Sequence, residues 1–358
     1  MTHFSPTSPT VSVLMCARNA EKTLRRAMDS IQNQTLRNAE VVVVDAGSID
    51  GTARLLGVAS ERDIRVRVSH VPECPREEAL NLALDDARGE FLFVMDADAW
   101  IEPVYLQKLV DAAEKYHADL VVGGVSAELD CGNRSLEMDC DDEETQYLTQ
   151  HDFRADAWRH FAAGRLMPAT GKLFVRDRVV SEHCRFDAET GNDHSFTADY
   201  LRRIERVAFV GDGYRVCREL PRMSGTDAAR DLFARIEAGY GDVHGLLSDW
   251  GLLGDPASMA MLNGRYLEML SLCVEAACSA GTGEGSEKPE AVRQTVGTLI
   301  SGERARLAAN VAEPHDGAAK ALVGPIKSQN VRLAIVQTRL LGALRRGAPA
   351  TLTPDAFL

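Results

Sequence analysis

Two aspartates spaced two apart, Asp96 and Asp98, close the apolar run Phe91-Leu92-Phe93-Val94-Met95. Side chains two apart on a strand point the same way, so both carboxylates arrive together where a buried strand stops. Side by side they repel. A divalent cation placed between them and a diphosphate makes the arrangement favourable, because hard oxygen ligands suit Mg²⁺ or Mn²⁺. Ligands of open α/β sheets bind at the carboxyl ends of the strands. An isolated Asp-x-Asp is also an ordinary polar turn, so the elements around it must decide between the two readings.

Those elements alternate. Val11 to Cys16 reads as a strand, and Leu24, Ala27, Met28 and Ile31 recur at helical spacing after Asn19. Glu40 to Asp45 is β-branched enough to be a strand buried on both faces. It stops in Ala46-Gly47-Ser48-Ile49-Asp50-Gly51-Thr52, which opens another helix. Ile64–Val68 reads as a strand, 79–87 as a helix ended by Gly89, 91–95 as a strand, 103–117 as a helix and 119–123 as a strand closed by Gly123-Gly124. The pattern predicts βαβ units and a mainly parallel α/β sheet. Asp45, Asp50, Asp96 and Asp98 then all fall at strand carboxyl ends, which favours metal and phosphate chemistry over a chance turn.

The signal weakens between 127 and 163, where the acidic run Glu137 to Glu144 reads as a solvated loop or helix face. Gly171 to Val175 is again a strand, 196–204 a helix, and Val207–Val210 and Tyr214–Arg218 two short strands. Beyond about 226 the pattern is helical, broken by the Gly/Ser-rich stretch 279–286.

Composition narrows the function classes. The chain has 358 residues, 45% hydrophobic and 26% charged, enough for one large domain and a smaller one. A formal charge of −13 argues against a general nucleic-acid surface. No apolar run approaches the ~20 residues that span a bilayer, and the Ser/Thr/Pro-rich start, residues 1–10, reads as a disordered tail rather than a signal peptide. The eight cysteines form no Cys-x-x-Cys pair and read as buried small hydrophobes, with Cys131 and Cys140 flanking an acidic loop as the one candidate oxidised pair. The cytoplasm is the expected location.

In order, these segments resemble a family 2 glycosyltransferase of the GT-A fold. The resemblance lies in Val11 to Thr35, in Val43 to Thr52, in Ala79-Leu80-Asn81 through Phe91 into Asp96-Ala97-Asp98, and in Lys172-Leu173-Phe174 with Phe186-Asp187 and Asp193. It implies a Rossmann-like GT-A domain over 11–226, with a nucleotide-binding half (11–125) and an acceptor-side half (126–226), followed by a helical region over 227–358. It also implies transfer of a sugar, with inversion, from a nucleotide-sugar donor, usually a UDP-sugar, to a glycan or other hydroxyl acceptor, in cell-envelope or polysaccharide synthesis. Carried over by position, Ala17, Arg18 and Asp45 line the nucleoside pocket, Asp96 faces ribose and metal, Asp98 ligates Mn²⁺ or Mg²⁺, and Asp193 is the catalytic base. Arg76 is a candidate diphosphate contact as well as a candidate surface residue. Ala46 and Arg18 depart from the family's usual residues, which leaves the donor's nucleobase open, and Asn192 stands where the family usually has a Glu, removing a charge that would have perturbed Asp193.

Alternatives stand beside these roles. Asp193 also suits a helix N-cap, Lys172 an ion pair as well as an acceptor contact, and His194 a structural neighbour. A sugar nucleotidyltransferase is a second reading, but Cys16-Ala17-Arg18-Asn19-Ala20 lacks the glycine-rich phosphate loop it needs. A non-catalytic nucleotide-sugar-binding relative is a third. Residues 317–354 are rich in Lys and Arg, and Arg332, Arg339 and Arg346 lie seven apart. The segment 331–347 is therefore either a packed helix with a solvated basic side or a helix that docks on a membrane surface or a partner.

Overall fold

The structure is a computed structural model and describes residues 8–130, 135–139, 144–189, 191, 193–219, 224–279, 288–314 and 316–345. The Cys131–Cys140 pair, Asn192, Arg346 and all of the 279–286 break but Ser279 lie outside these residues. The chain divides into two compact units, Met1–Glu219 and Leu220–Phe357.

The first unit begins with β1 (Val11–Ala17), α1 (Leu24–Gln32), β2 (Ala39–Ala46), α2 (Thr52–Arg62), β3 (Val66–Val71), α3 (Arg76–Asp86) and β4 (Phe91–Val94). It continues with β5 (Ala99–Ile101), α4 (Tyr105–Tyr116), β6 (Leu120–Asp130), β7 (Ser135–Asp139), β8 (Thr145–Tyr147) and α5 (Gln150–Ala162). β9 (Lys172–Val175), α6 (Arg176–Ser181), α7 (His194–Leu201) and β10 (Val207–Glu219) complete it. One sheet runs β3-β2-β1-β4-β9-β6-β10-β5, with β7 on β6 and β8 on β10. β1 to β4 are parallel. The second half is mixed, because β9 enters antiparallel between β4 and β6.

Residue type explains the first half. Every residue of β2 is buried, as a β-branched strand covered on both faces requires. α1 buries Leu24, Ala27, Met28 and Ile31, the stripe its spacing predicts. Ahead of β1, Pro9 is buried, Thr10 N donates to Asn38 O, and Glu90 N donates to Pro9 O. Residues 8–10 therefore do not belong to the expected disordered tail.

Four expectations shift. α3 begins at Arg76, directly after Pro75, rather than at 79. The acidic segment read as a loop or helix face contributes Ser135–Asp139, a strand paired with β6. The two short strands after 207 are one, β10, with register shifts around Asp212. β6 runs through Gly123-Gly124 to Asp130. Gly123 does not stop the strand; it makes room for Tyr105, since a Cβ there would lie 1.7 Å from the Tyr105 hydroxyl. Tyr105 is itself fully buried, edge-on to Phe93. Gly123→Ala is expected to destabilise the chain by about 1–3 kcal/mol through overpacking, read from the urea midpoint of the full-length protein.

Among its described residues the second unit is helical: α8 (Thr226–Asp249), α9 (Pro256–Cys278), α10 (Pro289–Ser301), α11 (Glu303–Val311), α12 (Gly317–Ser328) and α13 (Val331–Arg345). α9 is its centre, burying Leu267, Leu270, Cys273 and Val274 completely. Asp255 caps α9 by accepting from Ser258 N at 2.8 Å, with Pro256 at the first helical position.

Candidate active site

The strand order reverses at β1, which lies between β2 and β4. A parallel sheet opens a crevice at such a switch point, at the strand carboxyl ends. Three groups of the sequence-selected residues lie there: Ala17 at the end of β1 with Arg18 just after it, Asp45 near the end of β2, and Asp96 and Asp98 after β4.

The loops after β1 and β2 are zipped together. Asn19, in the left-handed region at φ 49°, has its N–H on Ser48 Oγ (3.0 Å), and its Oδ1 accepts from Ile49 N (3.0 Å). Ala20 N donates to Thr52 Oγ1 (2.8 Å) and Glu21 N to Asp50 Oδ2 (3.1 Å). Asp50 is thus a loop latch, which separates it from the acidic mouth inferred from spacing. Gly47, at φ +73°, lets the backbone of Pro72-Glu73 pass; a Cβ there would sit 2.5 Å from Glu73 N.

Within this frame Ala17 pairs with Asp45 in register and has no exposed surface. Asp45 is 4% exposed; its Oδ1 accepts from Ser48 N (3.1 Å) and its Oδ2 meets His70 Nδ1 (2.9 Å). Burial pushes the Asp45 carboxyl up, but the Ser48 and His70 hydrogen bonds outweigh it and hold it below the usual carboxylate range. A carboxylate so depressed stabilises the fold above its unfolded pKa, and that contribution disappears as pH falls through the folded value. Urea midpoints of wild type and Asp45→Asn are therefore expected to differ near neutral pH and to converge as pH falls below about 4. Sequence alone did not select His70, although its place near the end of β3 was the available signal. Arg18 pairs with Glu73, both well exposed, so the contact adds little to stability.

Asp96 is held from three sides. Asp96 and Asp98 are half-buried in the turn that follows β4, and Ala97 between them is buried. Asp96 N donates to the Tyr214 hydroxyl (3.1 Å), and Asp96 O accepts from Ala99 N (3.1 Å). Arg76 donates to Asp96 Oδ1 from Nε (3.2 Å) and Nη2 (2.8 Å), and its Nη1 lies 3.8 Å from Asp193 Oδ2. A cation in the first turn of α3 is opposed by the helix dipole. Burial also disfavours the charged guanidinium, yet Asp96 and Asp193 outweigh it and raise its pKa. Arg76 is therefore no solvated surface residue.

Asp193 stands at the start of α7 but makes no side-chain cap. Its Oδ2 accepts from Ala169 N (2.9 Å) and faces Arg76, while Oδ1 has no hydrogen-bond partner among the described residues. Asp193 is 7% exposed. Lys172 is buried too, with its Nζ donating to Pro168 O.

The donor set can be tested against a metal. Among the described residues no three or more His, Cys, Asp or Glu converge on one point. Asp96 and Asp98 offer two hard carboxylates, a set that fits Mg²⁺ or Mn²⁺ completed by phosphate oxygens and water, not a cage built from protein ligands alone. Cys16 lies close enough to feel Arg76, Cys74 and Asp96, but burial above all pushes its thiol up to about 12, so it stays a thiol and is no nucleophile.

A Rossmann-like half, a mixed second half and an Asp-x-Asp turn at the switch point define a nucleotide-sugar-transferase type of fold. Residues 12–167 match the family model described as Glycosyl transferase family 2. It is 26% identical over 224 residues to the uncharacterized glycosyltransferase EpsJ of Bacillus subtilis, covering 60% of this chain and 62% of EpsJ. It is 29% identical over 220 residues to the glycosyltransferase GlyG of Streptococcus pneumoniae, covering 59% and 71% of the two chains. The chain thus spans under two thirds of EpsJ. Among solved structures, S. aureus TarS 1-349 superimposes with a TM-score of 0.64 at 16% identity over 95% of this chain and 92% of that one, which shows the GT-A fold. The same S. aureus protein has been solved with UDP and with UDP-GlcNAc.

Proposed function

We propose that the chain transfers a sugar with inversion from a UDP-sugar to a hydroxyl of a glycan or lipid-linked acceptor, with Asp193 as base. The observation that carries this reading is Arg76, which joins the Asp-x-Asp turn and Asp193 at the end of β4. The nucleoside is assigned to the crevice beside Arg18 and Asp45, and the diphosphate to Asp96 and Asp98. The nucleotide complexes of the similarly folded TarS support that placement.

Asp96 and Asp98 would hold Mn²⁺ or Mg²⁺, which when bound offsets the charge that builds on the departing diphosphate. Asp193 takes the acceptor hydroxyl's proton at Oδ1 while Ala169 N–H and Arg76 fix Oδ2. One base and a single in-line displacement give inversion. The test is UDP release from a panel of UDP-sugars by the full chain with Mn²⁺, Mg²⁺ or EDTA. Metal-dependent release is expected; no release, with no nucleoside diphosphate raising the melting point, would overturn the reading.

The second unit is assigned a membrane contact of its own, on α13. No helix among the described residues is long and apolar enough to cross a bilayer. α13, however, exposes Leu333, Val336 and Leu340 (39%, 62% and 60%) beside exposed Arg332 and Arg339. Apolar side chains flanked by cations suit the headgroup boundary of an anionic leaflet, on the inner face if the chain is cytoplasmic. Vesicles rich in anionic lipid are expected to retain the wild-type protein at low salt, and Val336→Glu should abolish that retention. Equal retention of both proteins, or of neither, would refute the contact.

A further inference from the structure

Beyond β4, on the side away from β1–β3, a small, partly open pocket lies between β6 and the segment leading into β9. Gly123, Val125, Gly164, Arg165, Thr170 and Lys172 line it. Arg165, Thr170 and Lys172 are 6%, 2% and 3% exposed, so two cationic side chains are buried around one space. Arg165 lies over the Phe209 ring, 4.6 Å from its centroid, and Lys172 Nζ donates to Pro168 O. Thr170 Oγ1 is buried and has no hydrogen-bond partner among the described residues. A cleft walled by one sign of charge in low dielectric concentrates the opposite sign, and a buried hydroxyl without a partner costs free energy until one arrives.

The pocket adjoins the base. Thr170 bridges Val94, two residues before Asp96, and its neighbour Ala169 donates to Asp193 Oδ2 at 2.9 Å. We propose that this pocket is an anion subsite that receives a phosphate or carboxylate carried by the acceptor, placing the hydroxyl a few atoms away at Asp193. Sheet order favours acceptor over donor: the nucleoside crevice lies at β1 and β2, on the other side of β4. The assignment rests on the reading of Asp193 as base and Asp96/Asp98 as the diphosphate site.

The test titrates glycerol 1-phosphate, glycerate and glycerol into the full chain already saturated with UDP and Mg²⁺. One or both anions should bind saturably and glycerol should not; which anion binds more tightly identifies phosphate or carboxylate. Thr170→Val should weaken that binding roughly tenfold or more, the loss of a hydrogen bond to a charged group, while its UDP affinity stays at the wild-type value and shows the variant to be folded. Absence of anion binding to UDP-loaded protein, displacement of the anion by UDP, or an unchanged affinity in Thr170→Val would each overturn the subsite. Failure of UDP itself to bind wild type would instead count against the donor site, and the anion titration without UDP would still decide the pocket.

Discussion

Asp193→Asn should lower donor turnover by roughly 10²–10⁴-fold, the range for removing a general base, with donor affinity retained. The side chain keeps its size, and its oxygen can still accept from Ala169 N. What is lost is the capacity to take a proton. The loss should therefore fall on kcat, leaving KM for the donor within a few-fold. Wild-type turnover in Asp193→Asn would remove Asp193 from the chemistry and leave it as a support for the 165–172 segment.

The second large effect concerns Arg76. Arg76→Ala leaves Asp96 and Asp193 without the cation between them, at 13% and 8% side-chain exposure. Removing charged hydrogen bonds of this kind costs about 1.5–3 kcal/mol each, so the urea midpoint and kcat should fall together. Arg76→Lys should recover only part of either, since an ammonium cannot reproduce the fork that puts Nε and Nη2 on one Asp96 oxygen. A double-mutant cycle of Arg76→Ala with Asp96→Asn should show a coupling of about 0.5–3 kcal/mol. Additivity would mean that the contact carries no energy.

Much of the first half was legible in the sequence because local pattern and tertiary role agree there. Val41 to Val44 can hardly be anything but a covered strand, and the α1 stripe declares its buried face. Asp96 and Asp98 were legible because they end such a strand. The second half was less so. Lys172 to Val175 reads as a strand, but nothing local says that it inserts antiparallel between β4 and β6. Gly123 looks like a terminator until Tyr105 is found against it. Asp50 looks like a further acid of the site until its hydrogen bonds to the loop after β1 are seen. Arg76 meets Asp193 only through the fold, so its spacing in the chain carries no trace of the contact.

The central claim is that the Asp-x-Asp turn binds a nucleoside diphosphate together with a divalent cation. Calorimetric titration of UDP into the full chain, with Mn²⁺ or with EDTA, tests it for wild type and Asp98→Ala side by side. Saturable binding that needs Mn²⁺ and weakens by more than about tenfold, or 1.4 kcal/mol, in Asp98→Ala is the expected result. No UDP binding by wild type, or binding indifferent to both EDTA and Asp98→Ala, would contradict it.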